Sequence, residues 1–284
     1  MKTGQKLSNG TRAIITGASS GIGKILALDL AQKFQARLVL NARNEEALAR
    51  TAQAVKSAGG QCEVIAGDVS SKGVANKLSA HCIEKFGGID LLVNNAGLAK
   101  PGPMMALTPE DWEFVFGVNF FGALYASYAV LPHMLTAGQG KIVNIASVAG
   151  KVALPGNVCY AATKFAMVGM SKGMAAEFVS KNVDVITICP GLVRTEFFDN
   201  NNMVKSSNPT AVSQEHNFRG WLMKNILSIS AEQASAAVID ACQRGGPQEI
   251  VLTIPGVIID RLTAFAPALA FKLVSRVNPR RRAE

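Results

Sequence analysis

The chain has 284 residues, 49% of them hydrophobic and 17% charged, with a formal charge of +9. That length and composition suit one large buried core, and with no repeat period, low-complexity run or Pro/Gly/Ser-rich linker the expected organisation is a single α/β domain. Basicity alone does not make a nucleic-acid binder, and neither a recognition motif nor a basic stripe interleaved with aromatics is present. The positive charge gathers at Lys2, Lys6, Arg12 and Lys24 and at Arg276, Arg280, Arg281 and Arg282, which suits a phosphorylated cofactor or an anionic surface. Five cysteines (Cys62, Cys82, Cys159, Cys189, Cys242) and three histidines (His81, His133, His216) show no metal or redox spacing, so free buried thiols and no metal site are expected. Residues 1–10 are short and polar without the apolar core of a secretory signal, and a cytoplasmic protein is the expectation.

Taken in chain order, short apolar runs alternate with helical patterns. Ala13–Thr16 reads as the first strand, followed by Thr16, Gly17, Ala18, Ser19, Ser20, Gly21, Ile22 and Gly23 and then a helical pattern over Lys24–Phe34. Glycines there let the backbone turn sharply toward a pyrophosphate, and the helix start offers free N–H groups. The spacing departs from the generic dinucleotide fingerprint, and a ligand-free glycine turn remains the alternative. Arg37–Leu40 is the second strand. It leads to Asn41, Ala42 and Arg43, where an NAD site would usually carry an acid; an arginine can instead pair with the 2′-phosphate of NADP, so NADP(H) is expected over NAD(H). Asn44 and Glu45 also read as a helix start, which leaves a solvated arginine as the bland alternative. Further strands are expected at Glu63–Ala66, Leu91–Val93, Ile142–Ile145, Val185–Ile188 and Ile250–Ile254. Strands buried on both faces with helices between them predict a doubly wound, mainly parallel sheet of Rossmann type, with ligands at the strand carboxyl ends.

Tyr160 and Lys164 lie four residues apart, just over one helical turn, so in a helix the phenol and the ammonium share a face. With an ordinary pKa of about 10, roughly one tyrosine in a thousand is ionised at neutral pH, and a neighbouring cation is expected to lower that pKa and fit Tyr160 for acid–base work. A solvated helix face is the alternative for the pair taken alone.

With Thr16–Gly23, Asn94-Asn95-Ala96-Gly97, Ser147, Tyr160 with Lys164, and Pro190-Gly191 in this order, the chain resembles the short-chain dehydrogenase/reductase family over roughly residues 10–255. The step from Ser147 to Tyr160 is the family's usual one. The resemblance implies a cofactor across the strand ends, held by Gly17, Ser19, Ser20, Gly21, Ile22 and Gly23. Asp68 and Val69 would lie beside the adenine, and Asn94, Asn95, Ala96 and Gly97 would support the central strand and the cofactor. Pro190, Gly191, Val193 and Thr195 would line the nicotinamide end. It implies Tyr160 as the proton-exchanging group, Ser147 as hydrogen-bond partner of the substrate oxygen, Lys164 on the nicotinamide ribose, and Asn119 as a fourth member holding a water. Separately, Asn119 could be a helix kink, Ser147 a strand cap and Asp68 a turn start. Ala146 departs from the family, many of whose members carry a second serine there.

The resemblance also places a substrate lid at about residues 195–230. Its Phe197, Phe198, Met203, Phe218, Trp221, Leu222 and Met223, with Val148, Leu154 and Pro155, suggest a hydrophobic substrate that is steroid-like, long-chain or aromatic. Asn200, Asn201, Asn202, Ser206, Ser207 and Asn208 mark a flexible stretch within it. Residues 257–284 extend beyond residues 1–256 of the catalytic domain; Asp260, Arg261, Pro267 and Lys272 break the apolar run short of the roughly 20 residues needed to span a bilayer. A helix docked on the domain or a subunit partner, or an interfacial helix with a basic anchor, both stay open. Family members usually pair through the helices covering Trp112–Leu135 and Tyr160–Ser180, so a homodimer or homotetramer is expected. The leading function is NADP(H)-dependent interconversion of a ketone and a secondary alcohol. The alternatives are a 3-oxoacyl-carrier-protein reductase and, from another class, a non-catalytic NADPH-binding sensor or scaffold.

Overall fold

Apolar runs that expose nothing to water need cover on both sides, and the fold supplies it with two helical layers. The computed structural model describes residues 6–152, 155–194 and 228–275. Its elements begin β1 (Arg12–Thr16), α1 (Gly21–Phe34), β2 (Arg37–Ala42), α2 (Glu45–Ser57), β3 (Gln61–Ala66), α3 (Lys72–Phe86) and β4 (Leu91–Asn94). They continue through α4 (Pro109–Phe116), a π-helical turn (Gly117–Phe121), α5 (Gly122–Ala137), β5 (Gly140–Ile145), α6 (Val158–Phe178) and β6 (Val183–Cys189). After β7 (Leu192–Arg194) the described chain resumes with β8 (Ser228–Ser230), α7 (Ala231–Arg244), β9 (Gln248–Val251), α8 (Ile254–Phe265) and α9 (Pro267–Ser275).

Seven strands form one sheet in the order β3-β2-β1-β4-β5-β6-β9, every neighbouring pair parallel. The period of two divides its residues cleanly. Ile15, Leu38, Leu40, Val93 and Ile188 face Leu26 and Leu30 of α1, Leu48 of α2 and Val238 of α7. Their neighbours Ile14, Val39, Leu92 and Ile142 face Leu78 of α3 and Val130 and Met134 of α5. The edge strand β3 differs from the doubly buried strand expected, because its residues alternate between covered and exposed. The last strand also ends earlier than the expected Ile254: it stops at Val251, and Pro255, whose fixed φ suits a first helical turn, helps to start α8 at Ile254.

Winding reverses between β1 and β4, which opens a crevice at their carboxyl ends. The small β7–β8 pair, which the apolar pattern did not reveal, lies outside the main sheet. Pro109–Ala137 is long and apolar enough to cross a membrane by composition, yet half of its most apolar stretch is buried, and α5 packs on α3 and the sheet as a core helix does.

Candidate active site

At the crevice, Gly17 turns at a φ of 66°, and Gly21 at 54°, backbone angles that favour glycine. A side chain on Gly23 would meet both Asn95 Nδ2 and the Gly17 oxygen at 2.5 Å, and one on Gly17 would meet the Ala96 Cα at 2.8 Å. Asn95 holds this turn shut: its Nδ2 donates to the Thr16 and Gly17 carbonyls, each at 3.0 Å. Thr16 Oγ1 accepts from the Asn95 and Ala96 amides at 3.0 and 3.1 Å. Asn95 is therefore a cross-tie between the β1 and β4 ends, and it is anchored on Thr16, the first residue of the expected turn. Asn94 points away from the crevice, donating to Asn144 Oδ1 at 2.8 Å inside the core.

The α1 N-terminus that follows has Ser20 as its cap without a side-chain hydrogen bond and no acid in its first turn. Its first N–H groups keep the positive end of the helix dipole uncovered, next to Ser19 and Ile22. Arg43, at the end of β2, is exposed, whereas Asn44 behind it caps α2 by accepting from the Ala47 amide at 2.9 Å. Asp68 accepts from the amide and hydroxyl of Ser70 at 2.9 and 2.7 Å, forming a turn beyond β3. The Val69 side chain belongs to an apolar cluster with Leu98, Leu107, Val115 and Cys159.

Ser147 follows β5 and accepts from the Ala149 amide at 3.0 Å. The short turn after it packs on α6 so closely that a side chain at Gly150 would strike the Lys164 carbonyl at 2.6 Å. Tyr160 and Lys164 share a face of α6, with the Lys164 ammonium 5.7 Å from the phenol ring centre and donating to the Ile145 carbonyl at 2.9 Å. Asn119, fully buried in the π-helical turn, accepts from the Leu98 amide at 2.8 Å and donates to the Leu98 carbonyl at 2.9 Å and to Thr163 Oγ1 at 3.0 Å. It is thus both the helix irregularity and a clamp joining the Gly97–Leu98 turn to α6. Thr163, which in turn donates to the Tyr160 carbonyl at 2.7 Å, was not singled out by the sequence; a threonine inside a helix carries no pattern of its own.

The electrostatics differ from the expected lowering of Tyr160. Although the ring is only partly covered, burial of the phenol outweighs the polar influence of Ser147 and pushes its pKa up to about 12. Burial likewise pulls Lys164 down to about 8. All five cysteines are free and buried, and burial pushes Cys189 up to about 12, so the thiols are neutral packing groups. Among the described residues no cluster of histidine, cysteine or carboxylate groups could hold a metal.

At the far side of the crevice the Pro190 carbonyl accepts from the Val148 amide at 2.8 Å, Gly191 lies hard against Thr253 Oγ1, and Val193 is buried in β7. The loop beyond β4 is tied to the segment before α6 by Gly102 N–H to Gly156 O at 2.8 Å, and the Lys100–Asp111 ion pair anchors it to α4. Thr195, Leu154 and the apolar residues expected in a lid, from Phe197 to Met223, lie outside the described residues, as do Arg276 and Arg280–Arg282.

The sequence profile of the short chain dehydrogenase family matches residues 11–205. The chain is 42% identical over 192 residues to D-threitol dehydrogenase of Mycolicibacterium smegmatis, covering 66% of this chain and 72% of that one. It is 34% identical over 190 residues to 3-oxoacyl-[acyl-carrier-protein] reductase of Synechocystis, covering 67% and 77%. A solved short-chain dehydrogenase/reductase from Burkholderia phymatum in complex with NAD superposes with a TM-score of 0.81 at 27% identity over 93% of this chain and 96% of that one. The chain belongs to the short-chain dehydrogenase/reductase family and is an oxidoreductase of alcohol and carbonyl groups that uses a nicotinamide cofactor.

Proposed function

We propose that this enzyme interconverts a ketone and a secondary alcohol of a hydrophobic substrate and prefers NADP(H) to NAD(H). The observation that carries the reading is the gathering of Ser147, Tyr160 and Lys164 on one side of the β5–α6 junction, with Asn119 clamping the opposite turn. The crevice suits the cofactor: Gly17 and Gly23 let the turn close on Asn95 and Ala96 where side chains would clash, Gly21 takes the left-handed angle that follows, and the α1 N–H groups left bare beside Ser19, Ser20 and Ile22 suit a pyrophosphate. Asp68, Val69, Ala96 and Gly97 would border the adenine and ribose, and Pro190, Gly191, Val193 and Thr195 the nicotinamide end. Arg43, exposed where an acid would select NAD, suits a 2′-phosphate.

When bound, the cofactor supplies or accepts the hydride. The protein's own part is the proton. Tyr160, neutral at physiological pH, donates to the carbonyl oxygen as negative charge grows there, and the Ser147 hydroxyl hydrogen-bonds the same oxygen. Lys164 places a cation beneath the phenol and toward the ribose. Hydrophobic substrate character is supported by Met104 and Met105, exposed at 57% and 94% on the loop tied to Gly156. Pairing into a homodimer or homotetramer is supported by Phe114, Phe121, Tyr128 and Leu135, exposed at seven-residue spacing along the α4–α5 helix.

Turnover of a panel of steroid, long-chain and aromatic ketones with NADPH and NADH tests the reading. Tyr160→Phe should leave NADPH affinity intact while turnover falls by about 10²- to 10⁴-fold. Arg43→Asp should move the preference toward NADH. Wild-type turnover by Tyr160→Phe would overturn the assignment. The second reading, 3-oxoacyl-carrier-protein reduction, is favoured by the Synechocystis relative and by the basic charge, which would meet an acidic carrier. It requires that carrier-bound substrate outperform the free ketones.

A further inference from the structure

The C-terminal helices turn an apolar, cationic surface outward. On α8, Ile254, Ile258, Arg261 and Phe265 recur at the spacing of one helix face, and Ile254, Ile258 and Phe265 are exposed at 78%, 62% and 83%. Phe271 of α9 is exposed at 75%, with Leu269 and Leu273 beside it in sequence and also exposed. Within α8 and α9 only Gly256 and Ala270 are buried. An apolar surface of this kind, continued over two helices, marks an interaction site.

The charges say what it meets. Asp260 is the single acid of the two helices, and its carboxylate is turned inward onto Lys151 at 3.2 Å, beside Glu249, which holds the same lysine at 2.6 Å. The outward groups are therefore apolar or cationic, with Arg261 and Lys272 exposed among them. The sequence continues with Arg276, Arg280, Arg281 and Arg282 against one acid, Glu284. A second copy pairing through this face about a two-fold axis would bring like charges together without a carboxylate to answer them. An anionic bilayer answers both features, taking the apolar side chains into its interface and the cations onto its headgroups. Helices of 12 and 9 residues are too short to span, so they lie on the surface.

We infer that α8 and α9 dock this enzyme on anionic lipid surfaces. The inner side of α8 also packs on the active-site turn: a side chain at Gly256 would meet Val148, the neighbour of Ser147, at 2.6 Å. Docking therefore holds the serine turn next to the lipid, where an apolar substrate would partition.

The test is co-sedimentation of the full chain with phosphatidylcholine vesicles that contain or lack phosphatidylserine. The expected result is binding to the phosphatidylserine vesicles alone, weakened by salt. Ile258→Asp with Phe265→Asp, and separately Arg261→Glu with Lys272→Glu, should each lower partitioning by about tenfold or more. A thermal melt confirms that the variants, altered only at exposed positions, are folded. If one does not fold, the headgroup and salt dependence of the wild type decides. No sedimentation of the wild type, or unchanged binding by the Asp variant, overturns the inference. A fall in the oligomeric mass of the Asp variant without vesicles also overturns it, since the face would then be a subunit contact.

Discussion

Lys164→Met should make the protein more stable while removing its activity. Lys164 is 4% exposed, and its ammonium has one hydrogen-bond partner, the Ile145 carbonyl at 2.9 Å, with no carboxylate paired to it among the described residues. Burial lowers its pKa from 10.5 to about 8. At about 1.36 kcal/mol per unit, holding the charge near pH 7 costs the fold about 3 kcal/mol. Because the folded pKa is lowered, the whole cost is present below the folded value. It shrinks as pH rises from about 8 toward 10.5 and is gone above the unfolded value. Methionine keeps the apolar length of the stem but leaves the Ile145 carbonyl without its donor, a loss of about 1 to 2 kcal/mol. The net gain near pH 7 is then about 1 to 2 kcal/mol, and near pH 9.5 it falls by about 2 kcal/mol, to zero or slightly below. Urea unfolding of both proteins at the two pH values measures the difference, in which the buried thiols, present in both, largely cancel. A variant destabilised by the same amount at both pH values would refute the argument that Lys164 is a desolvated charge kept for function.

Asn119→Ala leaves the buried amide and carbonyl of Leu98 without their partners and should cost about 3 kcal/mol in urea unfolding; turnover should fall with it, because the Gly97–Leu98 turn loses its clamp to α6. Gly23→Ala puts a methyl 2.5 Å from Asn95 Nδ2 and the Gly17 oxygen, so the phosphate turn must shift, and NADPH affinity by fluorescence titration should fall by about tenfold or more. With Tyr160 held at about 12, kcat/KM for alcohol oxidation should climb roughly tenfold per pH unit from neutrality to about pH 8, above which loss of the Lys164 proton flattens the rise. A plateau near pH 7 would show that burial does not govern the phenol.

The sequence made the sheet legible because strands covered on both faces leave uninterrupted apolar runs, as in Ala13–Ile15 and Leu91–Val93. Where the cover is one-sided the pattern blurs, as at β3, and where a three-residue pair such as β7–β8 forms there is no run to see. Spacing placed Tyr160 and Lys164 on one face, and the structure brings them together. It could not give the sign of the tyrosine shift, since distance along a helix says nothing of how much water the folded chain removes. Thr163 and the cross-tying roles of Thr16 and Asn95 were hidden for a related reason: each works through a hydrogen bond to a residue distant in sequence or to backbone, which no local pattern records.

The two shifted groups together bear on the direction of the chemistry. Near neutral pH the resting pair is phenol and ammonium, because burial raises Tyr160 to about 12 and lowers Lys164 only to about 8. A proton is therefore in place for donation to a carbonyl oxygen. The reverse step needs a phenolate, whose population near pH 7 is on the order of one in 10⁵ when the pKa is about 12. Reduction starts from this resting protonation state, and oxidation depends on additional positive charge reaching the phenol. Lys164 supplies such a charge at 5.7 Å from the ring centre, and it keeps its proton at neutral pH because burial lowers its pKa only to about 8. That charge explains why a destabilising lysine stands under the tyrosine: an apolar residue there would suit the fold better and leave the phenol with no cation to stabilise its ionised form.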